Sequence, residues 1–200
     1  MLLNEASYNI IADCKAGKIK YVIFDRDGTL TQTSREEGGY ITKLGQIQAI
    51  DGVKEALNHL VDAGADLFVF TQQKCVGKGL VSEATLAGIH AELNAQIAPA
   101  VIKDFKYCPH IVDDNCSCMK PQPQMISELI ESYNIQPEEV LVAGDNPRDF
   151  ECAKNAGIGE RFIYIADDLG RHKDVYAQVE VEGGLFFESV KAMVDHLFAR

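Results

Sequence analysis

The chain has 200 residues, 46% of them hydrophobic, which suits one domain with a sizeable core. Acidic residues number 30 against 19 basic, a formal net charge of -11. A surface that acidic repels nucleic-acid backbones and anionic lipid, so neither is an expected partner, whereas a small anionic ester needs only a few local cations or a metal ion. No apolar run approaches the roughly 20 residues that span a bilayer. Residues 1–20 lack the basic-then-apolar order of a signal peptide. The expectation is a cytoplasmic protein, monomeric in the simplest case.

Residues 1–20 read as an N-terminal extension without an assigned role. Short apolar runs then alternate with segments of helical period. Tyr21–Phe24, Leu67–Phe70, Val140–Ala143 and Phe162–Ile165 read as buried strands. Between the first two, Val53, Ala56, Leu57, Leu60 and Val61 recur at helical spacing and end at Gly64. Leu86, Ile89 and Leu93 make a second helical face, with Ser82 as its N-cap. Met125, Ile126, Leu129, Ile130 and Tyr133 make a third. Phe150 and Ala153 predict a short helix stopped by Gly157, and Leu185, Val190, Val194 and Leu197 a last one. Residues 31–50 form a long polar insertion, and 103–124 read as irregular. Strands alternating with helices predict an α/β fold, a Rossmann-like parallel sheet sandwiched between helices, in one domain over 1–200.

The first strand runs into Asp25-Arg26-Asp27-Gly28-Thr29. Ligands of open parallel sheets bind beyond the carboxyl ends of strands. Two carboxylates there can hold a hard cation or present an oxygen to an electrophile. Asp-Gly after a strand is also an ordinary turn signal, and alone the pair does not separate the two readings. The other strand ends add Thr71, with Gln72 and Gln73 after it, and Gly144-Asp145, with Asp149 four residues on; Lys120 supplies a cation. This is the inventory of phosphoryl transfer. Asp25 is the expected nucleophile and magnesium ligand. Asp27 is the general acid and then base, its backbone carbonyl within reach of the metal. Asp145 is a third magnesium ligand supported by Asp149, and Thr71, Gln72 and Lys120 contact the phosphate.

These segments, FDRDGT, the strand ending in Thr71, Lys120 and GDNPRD, resemble the four motifs of the haloacid dehalogenase (HAD) superfamily over residues 21–165. An aspartate two residues after the nucleophile is similar to its phosphatases, not its dehalogenases. The resemblance implies the same roles and a phosphorylated small metabolite as substrate.

Cys108, His110, Cys116 and Cys118 follow the pattern C-x-H-x5-C-x-C, four ligands that close a structural zinc site within the 103–124 loop. The cysteines at 14, 75 and 152 read as packing residues. The loop resembles the zinc-containing, capless branch of the superfamily that holds the D-glycero-D-manno-heptose 1,7-bisphosphate 7-phosphatases and the histidinol-phosphate phosphatases. Gly39-Tyr40-Ile41, Gln73 and Gly77-Lys78-Gly79 point to the heptose enzymes, which makes a sugar phosphate the expected substrate and histidinol phosphate the alternative. An alternative of another class is a catalytically silent, zinc-stabilised interaction module. The chain departs from the branch at Met119, where an arginine expected to bind the distal part of the substrate usually stands, at Gln72 for asparagine, and at Asn146 for lysine. Met119 predicts a weaker preference for bisphosphates, unless Arg35, Lys74 or Lys78 replaces the missing cation.

Overall fold

The computed structural model describes residues 3–34, 39–166 and 170–199. Its strands are β1 (Tyr21–Phe24), β2 (Asp66–Gln72), β3 (Ile102–Cys108), β4 (Val140–Gly144), β5 (Phe162–Ile165) and β6 (Phe186–Phe187). They form one sheet in the order β3-β2-β1-β4-β5-β6, with every neighbouring pair parallel. The helices are α1 (Glu5–Lys15), α2 (Val53–Asp62), α3 (Lys74–Gly77), α4 (Glu83–Ile97), α5 (Gln124–Tyr133), α6 (Pro147–Asn155), α7 (Lys173–Val181) and α8 (Val190–Leu197). None among the described residues is long and apolar enough to cross a membrane.

Alternation along the strands divides the core in two. Val22, Phe24, Leu67, Val69, Leu141 and Ala143 face one cluster, closed by α1, α2, α4 and α8. Ile23, Phe68, Phe70, Val140 and Val142 face the other, closed by α5, α6 and α7. A sheet buried on both faces needs apolar residues at consecutive positions, which is why the middle strands are legible as continuous runs. Phe68 and Phe70 are fully buried, and truncating either to alanine costs about 3–5 kcal/mol.

The helix ends follow the local chemistry. Ser82 Oγ accepts from Thr85 N at 3.1 Å and starts α4. Gly64 and Gly157, at φ 93° and 82°, lie just past α2 and α6, in a conformation that costs other residues stability. Residues 31–50 contain no helix in their described part. They are fastened to α4 instead, where the Gln96 amide receives Ala49 N and donates to Ile47 O, both at 2.8 Å.

Several expectations change. The N-terminal segment holds α1, which buries Ser7, Ile10 and Cys14. Asp13 pairs with Arg161 at 3.0 Å. Polar residues between the buried positions hid this helix. Residues 103–108 are not irregular but belong to β3, an edge strand whose side chains are half-buried and mixed in polarity. Helix α7 buries Tyr176 alone and left no periodic signal. Val61, expected on the apolar face of α2, is 40% exposed, and Leu185 precedes α8.

Candidate active site

Parallel register brings the polar strand ends to one edge. Phe24 is level with Val69 on β2 and Ala143 on β4, and Asp25 N donates to Ala143 O at 2.9 Å. Asp25, Thr71 and Asp145 therefore emerge side by side. They line a cavity of about 300 Å³ that also takes in Asp27, Gln72, Lys120 and Asp149. A larger cavity of about 580 Å³ opens near Pro137, Ile158 and Leu185, where the chain enters β4, β5 and β6, and holds none of these residues.

Lys120 is the hub. Its Nζ lies 2.5 Å from Asp25 Oδ1, 2.7 Å from Asp149 Oδ1 and 3.7 Å from the centre of the Phe70 ring. Burial opposes its charge, but Asp149 and Asp25 outweigh that and raise its pKa. Two buried carboxylates, Asp25 and Asp149, share this one ammonium, and a third, Asp145, offers an oxygen within 4.8 Å of one from each of them. Burial, with repulsion from Asp149 and Asp27, pushes the Asp25 carboxyl up to about 7 despite Lys120. Burial and the charges of Asp25 and Asp149 push Asp145 up to about 8. The excess of buried negative charge fits a divalent cation such as magnesium, which takes few carboxylates and keeps other positions for water and phosphate oxygens.

Two glycines make the approach possible. A Cβ on Gly28 would stand 2.4 Å from Asp145 Oδ2, and one on Gly144 2.5 Å from Asp149 Oδ2. Asp149 also accepts from Asn146 N at 3.0 Å, so the residue that anchors Lys120 caps α6 as well.

Asp27 has a different environment. Arg26, fully buried, grips it through Nε at 2.9 Å and NH2 at 2.8 Å. Thr31 Oγ1 donates to Asp27 at 3.0 Å, and Gln73 Nε2 at 2.9 Å. Burial opposes its charge, but Arg26 and these hydrogen bonds hold the carboxyl below its usual range. Gln73 Nε2 also reaches Thr71 Oγ1 at 3.0 Å and so ties Asp27 to the end of β2. The sequence reading did not assign Arg26, Thr31 or Gln73 to this role. An arginine between two loop aspartates carries no signal of burial.

The second cluster lies where Gln72 pairs in register with Cys108. Cys116 Sγ is 3.6 Å from the sulfurs of both Cys108 and Cys118, and His110 Nδ1 is 3.8 Å from Cys108 Sγ and 3.1 Å from Cys118 Sγ. These separations are too long for disulfides. They approach the edges, about 3.8 Å, of a tetrahedron of sulfurs each about 2.3 Å from a central ion. The set could hold a metal ion, and its donors fit zinc. The other cysteines, Cys14, Cys75 and Cys152, are buried.

The remaining candidates part company. Lys74 lines the cavity, with Arg148 and Arg171, neither of them singled out in the sequence. Lys78 instead lies over the Tyr40 ring at 4.9 Å. Met119 packs against the α5 side of the core, and Asn146 caps α6. Arg35 lies outside the described residues.

The model of the family described as haloacid dehalogenase-like hydrolase matches residues 101–173, which include Lys120, Asp145 and Asp149. The chain is 36% identical over 141 residues to the D-glycero-beta-D-manno-heptose-1,7-bisphosphate 7-phosphatase of Pseudomonas putida, covering 70% of this chain and 79% of that one. It is 31% identical over 182 residues to the enzyme of that name from Bordetella bronchiseptica, covering 90% and 98%. The crystal structure of the B. bronchiseptica D,D-heptose 1,7-bisphosphate phosphatase, complexed with magnesium and phosphate, superposes with a TM-score of 0.76 at 27% identity, over 90% of this chain and 98% of that one. The chain belongs to this family of phosphatases within the haloacid dehalogenase-like hydrolases.

Proposed function

We propose that this phosphatase hydrolyses a sugar bisphosphate of the D-glycero-beta-D-manno-heptose 1,7-bisphosphate type, with magnesium, through an aspartyl phosphate on Asp25. The observation that carries the reading is the buried cluster of Asp25, Asp145 and Asp149, with Lys120 paired to the first and last, open to a cavity of about 300 Å³. Such a group costs stability and has no structural need at the edge of a well-covered sheet, which weighs against a silent module.

Asp25 Oδ attacks phosphorus in line, the ester bond to the sugar oxygen breaks, and that oxygen takes a proton from Asp27. Water then attacks the aspartyl phosphate and gives its proton to Asp27, freeing phosphate and restoring Asp25. In the resting site Arg26, Thr31 and Gln73 keep Asp27 ionised. The arriving phosphate dianion raises its proton affinity, so that it can serve as the acid. Lys120 and Thr71 hold the phosphate oxygens, with Gln72 beside them. Asp25, Asp145 and the Asp27 carbonyl would hold magnesium, which would neutralise the phosphate charge.

Cys108, His110, Cys116 and Cys118 would hold zinc in a structural part, since four protein ligands leave no open position. It would fix the loop that carries Lys120 two residues beyond its last ligand. Six unpaired thiols suit a reducing compartment such as the cytoplasm.

The test is phosphate release from heptose 1,7-bisphosphate by protein dialysed free of magnesium but retaining its zinc, with and without added magnesium. Release only with magnesium is expected. Equal release in its absence, or none in its presence, defeats the proposal.

A further inference from the structure

The cavity carries more positive charge than the reacting phosphate uses. Lys120 is committed to Asp25 and Asp149 at 2.5 and 2.7 Å, and Arg171 NH2 lies 3.6 Å from Asp145 Oδ2. Lys74 and Arg148 also line the cavity, and neither has a carboxylate partner among the described residues. Arg148 Nε reaches only the Asn146 side-chain oxygen, at 3.4 Å. In a chain with 30 acidic and 19 basic residues, two cations at the mouth of one cavity, with no acidic partner among the described residues, mark a place for an anion from outside.

Their positions say which anion. Lys74 opens α3 just after β2, and Arg148 lies in the first turn of α6 just after β4. Because β1 runs between β2 and β4, the two cations flank Asp25 from opposite sides, at the starts of helices that follow strands about 10 Å apart. Lys74 is half-buried and Arg148 exposed, whereas Lys120 and Thr71 are buried at the floor. A phosphoryl group over Asp25 is met by the floor, and a group farther along the same molecule by the rim.

We propose that Lys74 and Arg148 form a second anion subsite that holds the substrate phosphate that is not cleaved. This deepens, and rests on, the sugar-bisphosphate reading above. It also replaces the expectation drawn from Met119. That side chain packs against the core, and the cation missing at 119 is supplied from the first turns of α3 and α6, so a preference for bisphosphates is kept.

The experiment measures kcat/KM for heptose 1,7-bisphosphate and for heptose 7-phosphate with wild type, Lys74→Gln, Arg148→Gln and the double variant. Lys54→Gln, an exposed charge on α2, controls for net charge. The wild type should prefer the bisphosphate. Each single change should lower that preference about tenfold, chiefly through KM, as loss of a charge-assisted contact does. The double variant should lower it further, and Lys54→Gln should leave it in place. A preference that survives both changes overturns the subsite, as does a parallel loss on the two substrates. Failure of the wild type to hydrolyse either one overturns the substrate reading and the subsite with it.

Discussion

The molecule has two clusters of ionisable side chains, and they are held in opposite ways. The carboxylate centre gathers Asp25, Lys120, Asp145 and Asp149 from distant parts of the chain, Asp25 and Asp145 at the ends of neighbouring strands in a sheet buried on both faces. The cysteine–histidine cluster is local, spanning 108–118, and only Cys108 stands on a strand. The fold assembles the first whether or not anything binds there, and crowds its charges in doing so. The second has little core of its own, and an ion on four donors can take the place of one. The two are joined by backbone: Gln73 N donates to Cys108 O at 2.8 Å, and Gly77 N to Pro109 O at 2.9 Å. The carboxylate centre thus rests on the sheet, and the loop is tied to the end of β2.

That contrast can be broken most directly at Asp25. Asp25→Asn should lower turnover by about 10³-fold or more, because an amide cannot replace the attacking carboxylate, while the thermal midpoint stays close to wild type. Appreciable magnesium-dependent turnover by the folded variant would falsify the assignment. Cys118→Ser should behave differently. Zinc content should fall from about one per chain, the thermal midpoint should drop, and kcat should fall by about 10–100-fold, in line with losses around metal sites. If elemental analysis finds no zinc in the wild type, the loop is held by something else.

Two glycine substitutions sharpen the comparison with smaller effects. Gly144→Ala would put a methyl group 2.5 Å from Asp149 Oδ2 and 2.8 Å from its Cβ. It should destabilise by about 1–3 kcal/mol and lower kcat as Asp149 leaves Lys120. Gly77→Ala meets Pro109 O at 2.6 Å on the loop side. It should cost about 1 kcal/mol and weaken zinc retention more than catalysis. Chemical denaturation and competition with a chelator read both. Equal effects of the two variants on kcat would erase the division of labour.

The sheet and the carboxylate centre were legible because fully buried parallel strands must be apolar throughout, and because their polar ends fall in one plane by register alone. Thr71 and Asp145 needed nothing more than that argument. The environment of Asp27 was not legible, since Arg26, Thr31 and Gln73 converge through side-chain geometry that no spacing records. Arg148 stayed hidden because its partner, Asn146, is polar and two residues away, which reads as a helix start. Strand β3 was missed for the reason that it lies at an edge: an exposed Lys103 and a half-buried run with charged residues such as Asp104 and Lys106 look like a loop.

That edge strand has a consequence for how the protein behaves in a crowd. The open rim of a sheet is a template on which another chain can add a strand. Here Lys103 is paired with Asp66 at 2.6 Å, and Lys106 with Asp104 at 3.2 Å, so an incoming strand would have to strip hydrated charges from their partners. The opposite rim ends in β6, only two residues long. Neither border offers a long, uncharged row of amides, and the sheet can stay unpaired at high concentration without a further element to cover its sides.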